Sequence, residues 1–270
     1  MKTRLLLALA LLVGVLAPLA SPAQAAPEPE IIGGHMADPG EYPFQVALLL
    51  RSRTNRYNAQ FCGGSLVGAT RVLTAAHCVV DMRANQLDVL AGTNRLTADS
   101  GGMRVHVTAK HVHPGYNPRT SGNDVAVLEL AEPVPYETIP IIQEGRFDLW
   151  DPGTMATVTG WGDRDRREGS TNFPFNLYEV EVPILSNAQC SNAYGAAYIR
   201  TKMLCAGDLT DGGEDSCQGD SGGPLFVPDD GSGWRQVGIV SFGIGCARRN
   251  FPGVYTRVAS YRGFVNQFLV

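Results

Sequence analysis

The run Asp215-Ser216-Cys217-Gln218-Gly219-Asp220-Ser221-Gly222-Gly223-Pro224 places a serine hydroxyl inside a glycine-rich turn. A serine hydroxyl is a weak nucleophile at neutral pH. Chemistry at Ser221 therefore needs a base, a group that orients the base, and donors for a developing oxyanion. Thr74-Ala75-Ala76-His77-Cys78 supplies an imidazole after an apolar run, and Asn123-Asp124-Val125-Ala126-Val127-Leu128 supplies a carboxylate at the mouth of another. The order His, Asp, Ser is one of several in which these groups assemble for attack on a carbonyl. The amides of Gly219 and Ser221 are the candidate oxyanion donors, and glycine suits a position where the main chain itself must act. Each stretch also has a plainer reading: DSGGP as an ordinary turn, His77 as a core histidine, Asp124 as a strand cap. Their occurrence together in one chain favours the chemical reading.

The elements that must position these groups read as β. Residues 44–50, 65–73, 105–111, 126–130, 155–159, 177–182, 224–227 and 236–241 are short strand-like runs punctuated by Gly, Pro, Asn and Asp. Such a pattern fits a sandwich or a barrel and does not separate them. The tail, residues 258–270, carries Phe264, Val265, Phe268 and Leu269 at near-helical spacing, which predicts an amphipathic helix docked on the body.

Lys2 and Arg4 lead into an apolar run over residues 5–19, followed by Ser21, Pro22 and the small-residue site Ala23-Gln24-Ala25. This is the pattern of an export signal, residues 1–25, cut after Ala25. A membrane anchor is the rival, but the run is shorter than the ~20 residues a spanning helix needs. No later stretch is apolar for long enough to span, so a soluble mature protein is expected. Residues 26–30, Ala-Pro-Glu-Pro-Glu, suit no packed element. Residues 31–270 suffice for one large all-β unit. The formal net charge is −4, and residues 1–30 hold two basic and two acidic side chains, so their removal leaves it unchanged. That balance carries no nucleic-acid footprint. Arg164, Arg166 and Arg167, interleaved with Asp163 and Asp165, read as a solvated loop. All six cysteines, Cys62, Cys78, Cys190, Cys205, Cys217 and Cys246, lie beyond the leader, which argues for disulfides. A zinc site is disfavoured by the lack of a CxxC pair, and His111 and His113 beside Pro114 read as a strand end and turn.

Ile31-Ile32-Gly33-Gly34, the His77 block, Asn123-Asp124, Gly160-Trp161-Gly162, the Ser221 block, Val240-Ser241-Phe242-Gly243 and Pro252-Gly253-Val254-Tyr255 form an ordered set from Ile31 nearly to the C-terminus. This set resembles the trypsin-like serine proteases of the chymotrypsin fold, close in pattern to secreted bacterial, actinobacterial-like trypsins. The resemblance implies an all-β fold of two six-stranded antiparallel β-barrels and a short C-terminal helix. The first barrel would span roughly 31–142, and the second, with the helix, roughly 147–270. His77 and Asp124 from the first would meet Ser221 from the second in the cleft between them. It also implies the pairs Cys62–Cys78, Cys190–Cys205 and Cys217–Cys246. In such proteases the residue at Asp215 lies at the bottom of the specificity pocket next to Ser216. Gly243 and Gly253 keep the pocket walls open, Ser241 supports Asp124, and Phe242 stands where the family usually has tryptophan.

The implied activity is that of a secreted, extracellular endopeptidase working through an acyl-enzyme and cutting after Arg or Lys. Arg is moderately preferred, since it meets a carboxylate with two parallel donors. Activation would follow a cut between Glu30 and Ile31, whose new ammonium pairs with Asp220. Glu30 does not match an Arg or Lys preference, so a separate activating protease is implied. The expected partners are peptide or protein substrates and proteinaceous serine-protease inhibitors, with no nucleic acid and no membrane, for a monomer. No cofactor is required. In Ala91-Gly92-Thr93-Asn94-Arg95, Thr93 replaces the glutamate of a vertebrate calcium loop; calcium elsewhere stays open, with no metal site assigned. Two other classes compete. A binding protein on an inactive scaffold should lack His77, Asp124, Ser221 or Gly219, and all are present. A general esterase would use the same nucleophile, but the Asp215 pocket makes ester cleavage a side activity.

Overall fold

The computed structural model describes residues 32–167, 169–230 and 233–269. The expected export signal, the activation segment and Ile31 lie outside them. The strands are β1 (His35–Met36), β2 (Gln45–Leu50), β3 (Gln60–Gly68), β4 (Arg71–Thr74), β5 (Leu87–Ala91), β6 (Met103–Val112), β7 (Ala126–Leu130), β8 (Met155–Gly160), β9 (Tyr178–Pro183), β10 (Met203–Ala206), β11 (Pro224–Asp229), β12 (Gly233–Phe242) and β13 (Gly253–Arg257). Short helices α1 (Arg56–Ala59), α2 (Ala76–Val79), α3 (Asn187–Tyr194) and α4 (Arg262–Val265) interrupt them.

Strands β2-β3-β4-β7-β6-β5 close into an antiparallel barrel. In β6, Val105 and Val107 point inward while His106 and Thr108 face out, the period-2 signature of a half-buried strand. The second sheet runs β1-β9-β8-β11-β12-β13-β10. Its β9 and β10 ends meet through an antiparallel bridge between Ile184 and Ala206. Leu185 N–H donates to the Cys205 carbonyl at 2.9 Å and Gly207 N–H to Pro183 at 3.0 Å, so β9 through β10 curl into a second, less fully closed barrel. The N-terminal segment departs from expectation. His35 and Met36 pair with Glu179 and Tyr178 of β9, so the chain starts on the second sheet before entering the first barrel.

Tyr42, Phe44, Phe226 and Trp234 pack where the two bodies meet, with Phe226 ring centroids 5.2 Å from Phe44 and 5.0 Å from Trp234. Buried polar pairs also cross: Ser65 Oγ donates to Gln236 Oε1 at 2.7 Å, and Thr159 Oγ1 to Gln45 Oε1 at 2.7 Å. Each buried group keeps a partner, as burial demands. The disulfides are Cys62–Cys78, Cys190–Cys205 and Cys217–Cys246, the pairing the resemblance implied.

Three local expectations change. Residues 65–73 are the ends of two strands, β3 and β4, joined by a turn at Ala69-Thr70, because apolar residues continue through both sides of the hairpin. The tail is three short turns rather than one helix: a 3-10 turn at Val258–Tyr261, α4, and a second 3-10 turn at Asn266–Phe268. It docks as expected, with Phe264 against the His113 ring and Phe268 stacked on His111. The Arg-Asp stretch is only partly solvated, since Asp163 is 2% exposed. Phe226→Ala should lower stability by about 3–5 kcal/mol through the cavity it leaves between the barrels, measured by thermal or denaturant unfolding.

Candidate active site

Strand ends and turns deliver each residue of interest. His77 lies in α2, directly after β4; Asp124 precedes β7; the Ser221 turn runs into β11. In the paired strands β4 and β7, Thr74 faces Ala126, so the chain leaving one and the chain entering the other share one end of the barrel. Asn123 takes a left-handed φ of 58°, which asparagine tolerates, and its Oδ1 accepts the Tyr261 hydroxyl at 3.2 Å. The turn aims Asp124 inward, where it is 1% exposed.

Asp124 Oδ1 accepts the His77 backbone N–H at 2.8 Å. Its Oδ2 lies 2.8 Å from His77 Nδ1 and accepts the Ser241 hydroxyl at 2.6 Å. A carboxylate on Nδ1 keeps the ring proton there and leaves the Nε2 lone pair for another proton. Cys78 Sγ sits 3.6 Å from both His77 Nε2 and the Ser221 carbonyl oxygen, so the first disulfide packs between histidine and serine. The donor atoms of Cys62, His77 and Cys78 lie within 4.8 Å of one another. Both sulfurs are joined in the disulfide, so no thiolate remains for a metal.

Ser221 is fixed through its main chain. Its carbonyl accepts Gly63 N–H at 2.8 Å, while Gly222 N–H donates to Val240 and Val240 N–H to Gly223, each at 2.9 Å. Gly222 has φ 81°, and a Cβ there would collide with Thr74 and Gly63 of the first barrel. Gly219 has φ 100° and its carbonyl accepts Gln60 Nε2 at 2.9 Å. The amides of Gly219 and Ser221 donate to no protein acceptor among the described residues. Two unpaired N–H groups flanking one turn are unusual in a folded chain and form a ready receptor for negative charge.

Asp220 points away from Ser221 into the body, with its Oδ1 on Gly162 N–H at 2.7 Å and its Oδ2 on Cys217 N–H at 2.8 Å. A Cβ on Gly160 or Gly162 would strike this carboxylate, which explains both glycines of the Gly160-Trp161-Gly162 motif. Burial pushes the Asp220 carboxyl up to about 6, against the pull of the two amides. No cationic side chain among the described residues pairs with it. Ile32 packs nearby with Cys217, Cys246 and Ala247.

Beside Ser221 opens a cavity of about 210 Å³, lined in part by Asp215, Ser216, Ser241, Phe242, Gly243 and Gly253. All six substrate-binding positions expected from the sequence therefore line one cavity. Asp215 is 3% exposed; its Oδ2 accepts Ala247 N–H at 2.8 Å, while its Oδ1 has no protein partner. Burial raises the Asp215 carboxyl to about 7, against the pull of the Ala247 amide. A Cβ at Gly253 would reach 2.8 Å from Oδ1 and close the floor. Sequence reasoning missed Gln60, Gln218 and Gly245 around the site, and Thr256, whose hydroxyl donates to the Asp124 carbonyl at 2.7 Å. Gln218, between the pocket cysteine and Gly219, had a local signal; Gln60 and Thr256 come from distant strands and had none.

Paired β-barrels with a serine, a histidine and a buried carboxylate at their junction define a serine endopeptidase. A sequence model of the Trypsin family matches residues 31–265, and the chain belongs to that family as a trypsin-like serine endopeptidase. It is similar to a "Trypsin-like protease" of Streptomyces glaucescens, 41% identical over 255 residues, covering 94% of this chain and 87% of that protein. "Trypsin zeta" of Drosophila melanogaster is 38% identical over 256 residues, covering 91% of this chain and 88% of that protein. "Trypsin beta" of Drosophila erecta is 39% identical over 238 residues, with 87% of each chain covered.

Ser241→Ala removes one donor from Asp124 and leaves the fold's contacts otherwise intact. A hydrogen bond to a charged group contributes about 1.5–3 kcal/mol, so kcat should fall roughly ten- to a hundredfold. Steady-state kinetics should place the loss in kcat rather than KM, and Ser241→Thr should restore part of it.

Proposed function

We propose that this endopeptidase cuts polypeptides after Arg or Lys. The observation that carries the reading is the unpartnered Asp215 Oδ1 at the floor of the cavity. A buried carboxylate oxygen without a donor is costly. A guanidinium or ammonium entering from the mouth supplies the missing donor and the opposite charge together, and arginine can offer two parallel N–H groups.

In this reading Ser221 Oγ attacks the scissile carbonyl carbon while its proton passes to His77 Nε2. The C–O bond that forms places negative charge on the carbonyl oxygen, which the Gly219 and Ser221 amides receive. Asp124, held by Ser241, keeps the imidazole oriented and favours its protonated form. His77 returns the proton to the leaving amine as the C–N bond breaks, which leaves an ester on Ser221. Water, deprotonated by the same histidine, then releases the acid and regenerates the serine. No cofactor enters any step, and the chain acts as a monomer open to inhibitors that fill the same pocket.

Export and activation belong to the same proposal. The three disulfides support an oxidising compartment, and no helix among the described residues is long and apolar enough to cross a membrane. The buried Asp220, held only by amides, supports a role as receiver of the Ile31 ammonium after a cut following Glu30. A separate protease makes that cut, because Glu30 does not suit the Asp215 pocket.

Asp215→Ser should reduce kcat/KM for Arg and Lys peptide amides by about a hundred- to several-thousandfold, the scale of a broken buried ion pair. Reactivity of Ser221 toward a small phosphonate should persist; retained Arg preference would remove Asp215 from the pocket floor. The raised Asp215 pKa gives a sign: a cation binds the ionised carboxylate, so in the empty pocket it must displace a proton below about 7. The apparent Kd of a small amidinium should therefore rise as pH falls through that value, while a neutral ligand of similar shape should not respond.

A form beginning at Ala26 should turn over substrate far more slowly than one beginning at Ile31, since it cannot offer Asp220 an α-ammonium. The purified precursor, incubated alone, should stay mostly latent. Equal turnover by the two forms would sink the activation scheme.

A further inference from the structure

Among the described residues, the Arg-Asp stretch after Trp161 leaves one arginine without a carboxylate partner. Asp163 turns inward, where it accepts the Asp165 N–H at 3.0 Å and the Ser170 hydroxyl at 3.1 Å. Arg164 lies over the Tyr178 ring, 5.0 Å from its centroid, and donates to the Tyr178 hydroxyl. Asp165 is taken by Arg167. Arg166 is left exposed, with no ion pair among the described residues. Across from it, Arg248 is also exposed; its guanidinium stands 5.1 Å from the Phe251 ring centroid, a contact that steadies the side chain without neutralising it.

These arginines face a common groove of about 740 Å³ lined by Arg166, Arg167 and Arg248, with no acidic residue in its lining among the described residues. Ile244, 43% exposed, adds an apolar strip. The groove adjoins the specificity cavity, because Gln218, Gly245 and Cys246 line both. Among the described residues the lining is positive, although the chain's formal net charge is −4.

We propose that this groove docks acidic side chains of the polypeptide substrate, an inference that rests on the Arg/Lys reading of the neighbouring pocket. Any chain anchored through its Arg or Lys carries its flanking residues along the rim that the two cavities share. A carboxylate there meets guanidinium groups at high effective concentration and can be held by paired N–H donors. The occupant is the substrate rather than a free anion, because the groove opens where the substrate must pass. The enzyme therefore selects basic sites set among acidic residues.

The test uses the activated enzyme and matched Arg peptide amides carrying Glu or Gln singly at each position flanking the Arg. At low salt, Glu at one or more positions should raise kcat/KM by about three- to tenfold, the range of one or two exposed charge pairs. The gain should fade at high ionic strength. Arg166→Glu combined with Arg248→Glu should turn it into a penalty, with Arg166→Ala and Arg248→Ala intermediate. A single-residue Arg amide, too short to reach the groove, should be cleaved equally by all these enzymes, which also certifies their folding. Absence of a Glu effect at every position, or one unchanged by the double reversal, would overturn the proposal. Failure of the unaltered enzyme on the single-residue Arg amide would instead strike the pocket reading beneath it.

Discussion

Three carboxylates are taken out of water within one cleft, and much of the structure exists to hold them there. Asp124, Asp215 and Asp220 are 1%, 3% and 1% exposed. A buried carboxylate without partners would simply take up a proton, so each must be met by donors placed in advance. Asp124 has the His77 amide and ring and the Ser241 hydroxyl. Asp220 has two main-chain amides. Asp215 has an amide on one oxygen and nothing of the protein on the other. The satisfaction of these groups is graded, from full at Asp124 to half at Asp215.

Such placement explains why two barrels are needed. Asp124 hangs from the first body, yet Ser241 reaches it from β12 of the second, and the Thr256 hydroxyl on its carbonyl comes from β13. Gly63 of β3 holds the Ser221 carbonyl from the opposite direction. Neither body alone completes the set. The glycines at 160, 162 and 222 follow from the same demand, since each leaves space where a carboxylate or a neighbouring strand must approach closely. The buried aromatic contact around Phe226 then keeps the two bodies in the register that these hydrogen bonds require.

Much of this was legible in the sequence because the chemistry is concentrated in short motifs. His77, Asp124, Ser221 and the pocket positions each sit in a distinctive local run, and the resemblance supplied the barrels and the disulfide pairs that spacing leaves open. Strands β5, β10 and β13 were not legible: Leu87–Ala91, Met203–Ala206 and Gly253–Arg257 are buried along their whole length, so no alternation marks them. The helix α3 had a signal that went unused, the Ser186-to-Gln189 capping box. The crossing of β1 to the second sheet had none, because two exposed residues carry no pattern and the pairing is set by Glu179, which receives both His35 and the Tyr42 hydroxyl.

Two other buried acids are held by different means from those of the cleft. Asp88, 2% exposed, is bound by Arg104 and His106, each at 2.7 Å. Asp229, 5% exposed, is clamped by Arg235 and Arg146. At Asp88 and Asp229 the protein supplies a cation from its own side chains, which offsets desolvation inside the folded chain. In the cleft no arginine or lysine of the described residues is paired with Asp215 or Asp220, and their pKa values are accordingly held high, at about 7 and 6. A positive charge brought beside either carboxylate would offset its desolvation. The contrast is one of means: Asp88 and Asp229 are met by cationic side chains, Asp215 and Asp220 by main-chain amides.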